Sequence, residues 1–221
     1  MKISTDRILT THVGSLPRPA DLYDLLIAEE RNEPHDADAL KVRAASAVRD
    51  VVAKQVDCGV DSVSDGDMGK ISYTFYVRHR LSNIDPAQPP GAEPPREGAN
   101  RDILDHPDFA ERVATERSGW ALSFGRPWVV GPVAYENHDP LDRDIANLKA
   151  AMADSKPSEA FMTAASPGVL SKFVPDNYYK DEDAYIEAMA NAMQTEYEAI
   201  HAAGLILQID CPDFGSARHN Q

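Results

Sequence analysis

Two stretches of this chain share one pattern: a helix-forming segment stops at a Gly, and a short apolar run then reaches an Asp six residues later. They read Asp57-Cys58-Gly59-Val60-Asp61-Ser62-Val63-Ser64-Asp65 and Ala202-Ala203-Gly204-Leu205-Ile206-Leu207-Gln208-Ile209-Asp210. Glycine closes a helix because it takes positive φ without a Cβ clash. A helix that feeds a buried strand ending in an acid is how α/β proteins place chemistry, since side chains at strand carboxyl ends point into the crevice where ligands bind. The repeat therefore predicts an α/β enzyme with carboxylates on its active face.

The rest of the chain fits the same alternation. Residues 8 to 15, Ile8-Leu9-Thr10-Thr11-His12-Val13-Gly14-Ser15, are β-branched and apolar and then meet Leu16-Pro17-Arg18-Pro19, which predicts a first strand closed by a tight loop. A short helix is expected over Asp21 to Asn32. A longer one starts at Asp36, with Leu40, Ala44, Ala47, Val48, Val51 and Gln55 along one stripe. Further strands are predicted at Val60 to Ser64, Arg126 to Val133, Ala160 to Ala165 and Leu205 to Ile209, the fourth closed by Ser166-Pro167-Gly168. Helices are predicted at Ile145 to Ala153 and Asp183 to Ala203. The last of these carries Ile186, Met189, Ala190, Met193, Tyr197 and Ile200 on one face and acids in its first turn. Residues 84 to 100 hold five prolines and two glycines, which sustain neither helix nor ladder, so an extended insertion or arm is expected there, either disordered or clasping a neighbouring subunit in a homo-oligomer, two readings between which the sequence does not choose. Strands that alternate with helices imply a mostly parallel sheet, either doubly wound or a (β/α) barrel, in one domain over residues 1–221.

Charge and hydropathy exclude several functions. A formal net charge of −14 opposes a nucleic-acid partner, whose affinity is built on clustered Lys and Arg. No apolar run approaches the roughly 18 residues of a membrane span. The first residues lack the apolar core of a secretion signal, so a cytoplasmic protein with a small-molecule partner is expected. The only cysteines, Cys58 and Cys211, have no metal-ligand spacing and read as reduced thiols.

Three motifs, Thr10-Thr11-His12-Val13-Gly14-Ser15-Leu16-Pro17-Arg18-Pro19, Ser64-Asp65-Gly66-Asp67-Met68 and Leu207-Gln208-Ile209-Asp210-Cys211-Pro212-Asp213, stand in order at successive strand ends. Together they resemble the catalytic barrel of the cobalamin-independent methionine synthases and their short bacterial relatives. The resemblance implies a TIM barrel, of which this chain holds about five of the eight βα units, and a place in methionine biosynthesis. It implies an enzyme that binds homocysteine, activates the thiol on zinc and methylates it from a folate co-substrate. Carried over by position, Val13, Gly14 and Ser15 match the loop that holds the amino-acid substrate. Asp67 falls where the family usually has Glu, to take the substrate ammonium, and Asp210 is the acid of its Gln-Ile-Asp motif. The family's zinc ligands and catalytic His lie on strands after Gln-Ile-Asp. None is therefore expected in this chain, which is predicted to be inactive alone. Cys211 stands where the methionine synthases carry Glu, and their folate-stacking aromatic is not evident around Ser171-Lys172-Phe173.

The residues also leave other readings open. Asp65 and Asp67 bracket Gly66 and suit a cation or ammonium, or a solvated loop. His12 suits either the active face or a core histidine satisfied by backbone. A substitute metal site from Cys58 or Cys211 with His12 or His219 matches no common spacing. Two other functions remain: a metal-free barrel lyase of the decarboxylase kind using Arg18 or Arg78, and a non-catalytic half-barrel completed by another chain, whose open parallel edges would need cover.

Overall fold

Both repeated modules fold as their glycines dictate. Helix α1 spans Ala20–Glu30 and α2 spans Ala37–Asp57, the latter capped by the Asp36 carboxylate on the N–H groups of Asp38 and Ala39. At the far end of α2, Gly59 (φ +81°) donates to Val56 O and Val60 to Gln55 O. The same two bonds recur after the long helix ending at Ala202, from Gly204 (φ +79°) to His201 O and from Leu205 to Ile200 O. These paired bonds are the Schellman arrangement, which satisfies the last carbonyls of a helix and turns the chain sharply into a strand. The computed structural model describes residues 1–85, 87–92, 105–109, 111–112 and 127–216.

The strands are β1 (Ser62–Val63), β2 (Ile84–Asp85), β3 (Trp128–Val129), β4 (Glu159–Ala165) and β5 (Ile206–Asp210). Helices α3 (Asp139–Ser155), α4 (Pro167–Phe173), α5 (Glu182–Ala202) and α6 (Asp213–Ser216) alternate with the later ones, and a 3-10 turn covers Phe75–His79. Among the described residues β1, β4 and β5 form a parallel sheet in that order, with Ala165 opposite Asp210 at its carboxyl end. Strand β4 is buried nearly throughout, as a central parallel strand covered on both faces must be. Helices α2, α3 and α5 cover it with Leu40, Val48, Leu148, Met189 and Met193, all in one apolar cluster. This is a mixed α/β fold with a parallel sheet, as expected.

Three expectations are corrected. No strand forms over residues 8 to 15: Thr11 makes a single parallel bridge to Ser62. Side chains take the ladder's place, because the Arg7 guanidinium and the Thr10 N–H both bind the Asp61 carboxylate, leaving Ile8 and Val13 exposed. The strand predicted at 126 to 133 shrinks to β3, which runs antiparallel to β2 outside the parallel sheet. Pro127 and Pro132 bound it and cannot donate to a ladder, and Val129 instead bonds residues Pro175 and Asn177. Finally, Ser166-Pro167-Gly168 does not merely close β4; Ser166 caps α4 through the N–H of Val169, with Pro167 in the first turn. Of the proline-rich segment 84–100, Ile84 and Asp85 form β2, while residues 86 and 93–100, like Arg126 and His219, lie outside the described residues. No helix among the described residues is long and apolar enough to cross a membrane.

Candidate active site

The turn after β1 is built from side-chain bonds to backbone. Gln55 reaches from α2 and pairs with Ser64 as a strand would, its carboxamide donating to Ser64 O (2.8 Å) and accepting from Ser64 N (3.0 Å). Ser64 Oγ then accepts from Gly66 N (3.1 Å) and Asp65 Oδ1 from Asp67 N (3.0 Å). These two local turns explain how Asp67 holds φ at +57°, a left-handed conformation that Asp tolerates better than most residues.

Asp67 is buried, yet every polar group on it is engaged. One carboxylate oxygen accepts from Ser15 Oγ (2.8 Å) and the other from Thr163 Oγ1 on β4 (2.9 Å). Its carbonyl accepts from Arg18 Nε (3.1 Å) and Nη2 (2.8 Å). Lys70 Nζ stands 3.6 Å from Oδ1. Burial pushes this carboxyl up, but Lys70, the Ser15 and Thr163 hydroxyls and Arg18 together outweigh it and hold it below its ordinary value. Asp65 goes the other way. Burial, reinforced by Asp67 and Asp144 against the opposing pull of Lys70, pushes it up to about 6. Of the two acids, Asp67 is the one that keeps its charge to lower pH.

The sequence-predicted residues converge unevenly. Ser15 and Asp67 are hydrogen-bonded to each other, and Leu16 N fastens their loop to Gly66 O (3.0 Å). Asp210 ends β5 at the same carboxyl edge, half-buried, its carboxyl raised by burial and by the charge of Asp67, with Gln208 and Lys70 opposing. Val13 and Gly14 form an exposed rim, Gly14 at φ +90° with open space where a Cβ would go. His12 lies against Phe161, its Nε2 3.4 Å from Ser64 Oγ and its buried Nδ1 without a hydrogen-bond partner among the described residues. Thr163 and Lys70 escaped the sequence reading, as did Tyr73, which packs edge-on to Phe173 near Asp210. The Lys70 position was legible only as one charge in a polar run.

Arg18 binds the Asp67 carbonyl, and Arg78 binds Glu30 (2.9 Å), which His79 also approaches at 3.0 Å. Neither guanidinium is thus arranged as a free carboxylate receptor for a lyase. A cavity of about 140 Å³ between α1 and the start of α3 touches Lys70 and Arg80 but none of Ser15, Asp67 or Asp210.

The described residues do not fit a zinc ion, since no group of three or more His, Cys, Asp or Glu side chains among them could hold a metal. Cys58 precedes β1 and Cys211 follows β5, so the parallel sheet puts the two thiols at opposite ends.

No family model matches the chain, and no curated protein does. Solved structures do. A B12-independent methionine synthase from a Shewanella species, in complex with selenomethionine, is 21% identical and superposes with a TM-score of 0.65 over 93% of this chain and 52% of its own. A Listeria monocytogenes structure named for the same vitamin-B12-independent activity is also 21% identical, with a TM-score of 0.59 over 93% of this chain and 53% of its own. The likeness establishes the fold, and this chain spans about half the length of either structure.

Proposed function

We propose that this chain supplies the amino-acid-binding half of a methionine synthase-like barrel, in an enzyme that transfers a methyl group from a folate-type donor to a thiol such as homocysteine. The observation that carries the reading is the Asp67 carboxylate, anionic and held by Ser15 and Thr163 at the carboxyl edge of a parallel sheet, with Asp210 beside it. An ionised acid fixed by two hydroxyl donors retains lone pairs for an ammonium group, and a charge-assisted bond of that kind is worth about 1.5–3 kcal/mol. In this reading Asp67 and Asp210 take the substrate ammonium, while the Val13-Gly14-Ser15 rim lies where its carboxylate would sit. His12 and Asp65 border the same edge. The fold it shares with methionine synthases, one of them crystallised with selenomethionine, supports an amino-acid ligand. Zinc activation of the thiol and the folate contacts belong, in this proposal, to the complete barrel, and no step of either is assigned to the residues described.

Calorimetric titration with L-methionine and with its analogue lacking the amino group tests the reading. Asp67→Ala should weaken L-methionine by roughly tenfold or more and leave the analogue unchanged, one charge-assisted bond being lost. No binding of L-methionine by the wild-type chain, or equal weakening of both ligands, would refute it.

A second reading, a half-barrel completed by another polypeptide, is favoured by the outer side of β5, which pairs with no strand among the described residues while Ile209 and Phe214 lie exposed nearby. A monomer by light scattering at all accessible concentrations would count against it.

A further inference from the structure

Lys70 is 3% exposed, and nothing about a surface loop requires a buried ammonium. Its Nζ donates to Thr163 O (3.0 Å), lies 3.6 Å from Asp67 Oδ1 and stands 4.7 Å from the centre of the Tyr76 ring. Thr163 closes the triangle by donating its own hydroxyl to the same Asp67 oxygen at 2.9 Å. The ammonium also acts on Asp65 and Asp210, so one cation faces all three acids gathered at the strand ends.

Behind it the scaffold is tied together by buried hydrogen bonds and ion pairs. Tyr76 donates its hydroxyl to Glu196 (2.8 Å) on α5 and accepts from Ala165 N (3.3 Å) on β4. Arg80 lies over the same ring at 4.6 Å and pairs with Asp144 (2.6 Å) on α3 and with Glu196 (3.0 Å). The elements around Lys70 bring charges and polar tips: the β1 turn its two acids, the first loop Arg18, the 3-10 turn and its end Tyr76 and Arg80, the two helices Asp144 and Glu196, and, across the cavity that Lys70 borders, Glu29 and Glu30 of α1, His79 and Arg143. Asp67 and Asp65 outweigh the burial that would discharge Lys70, which stays a cation.

We propose that Lys70 is a positioning residue, whose buried ammonium keeps the Asp67 carboxylate ionised and aimed from behind so that its remaining lone pairs receive the ammonium group of an amino-acid ligand. The proposal rests on the amino-acid reading above. It adds that ligand selection depends on a residue which the ligand does not touch. Without the charge, Asp67 would bear uncompensated the burial cost that already raises Asp65, and ligand binding would gain a further pH dependence from Asp67.

The test uses the 221-residue chain labelled with carboxyl-13C aspartate, the Asp67 signal being assigned by its loss in Asp67→Asn. In Lys70→Met the Asp67 carboxyl should titrate at least about one pH unit higher than in wild type. In Lys70→Met, L-methionine binding one pH unit below the variant's own Asp67 midpoint should be about tenfold weaker than at pH 8, one unit corresponding to a factor of ten. Lys70→Gln, which keeps a donor for Thr163 O, should behave like Lys70→Met, because the effect follows the charge and not the bond. Unchanged Asp67 titration in a folded variant would overturn the proposal, as would loss of fold in both variants, which would make Lys70 purely structural. A wild-type chain that fails to bind L-methionine would refute the amino-acid reading instead, while the Asp67 titration still judges the electrostatic role of Lys70.

Discussion

Replacing Glu196 by Gln keeps the shape of a fully buried side chain and removes only its charge. In the native protein this carboxylate accepts from Tyr76 (2.8 Å) and Tyr135 (3.0 Å) and lies 3.0 Å from Arg80 Nη1. A glutamine has one carbonyl oxygen to offer where two hydroxyl donors and the Arg80 cation converge, so one hydroxyl loses its acceptor, costing about 1–3 kcal/mol. Arg80 keeps Asp144 but loses its second counter-ion, and removing one member of a buried ion pair typically costs about 3–5 kcal/mol. The two effects overlap, so about 3–5 kcal/mol is the expected total, a large fraction of the roughly 5–15 kcal/mol that holds a domain together. With a urea slope of about 2 kcal/mol/M, the unfolding midpoint should move down by about 1.5 M or more. Equilibrium urea unfolding followed by circular dichroism measures it. Glu198→Gln, one turn edge away on the exposed face of α5, serves as the control and should stay within about 0.5 kcal/mol. A loss below about 1 kcal/mol for Glu196→Gln would refute the argument, because it would mean that the Arg80–Glu196 contact carries no net charge stabilisation.

Asp65 has its carboxyl raised to about 6 from an ordinary 3.8, so between those values the folded protein binds a proton that the unfolded chain does not, and this group's contribution to stability falls as pH rises. Asp65→Asn should accordingly gain on wild type between pH 4 and pH 6, by about 2–3 kcal/mol in urea unfolding, and a constant difference across that range would contradict it. Gly59→Ala meets no atom within 4 Å but must hold φ at +81°, so it should cost about 1–2 kcal/mol through backbone strain alone; an unchanged melting temperature would show that the turn relaxes.

The parts that could be read from sequence are those governed by local chemistry. Helix α2 begins at Asp36 and ends at Gly59 because a carboxylate caps its start and a glycine its close, and the Ser-Pro pair before α4 carried the same kind of signal, unread. The face of α5 was nearly right, yet Glu196 joins Met189, Met193 and Ile200 inside, which no apolar count would suggest. The apolar segment 8 to 15 looked like a strand because its composition suits one, whereas Arg7 and Asp61 hold it by side chains.

Ser15, Asp67 and Asp210 could be chosen as candidates in isolation because each stands next to a Gly or at a strand end, features that span a few neighbouring residues. Which acid keeps its charge to lower pH could not. That depends on Lys70 and Thr163, on Tyr76 and on Glu196 more than a hundred residues later, and their effect exists only where the parallel sheet has removed water and brought them within a few ångströms. Sequence order sets what each side chain is able to do; the dielectric and the distances created by folding decide which of them does it.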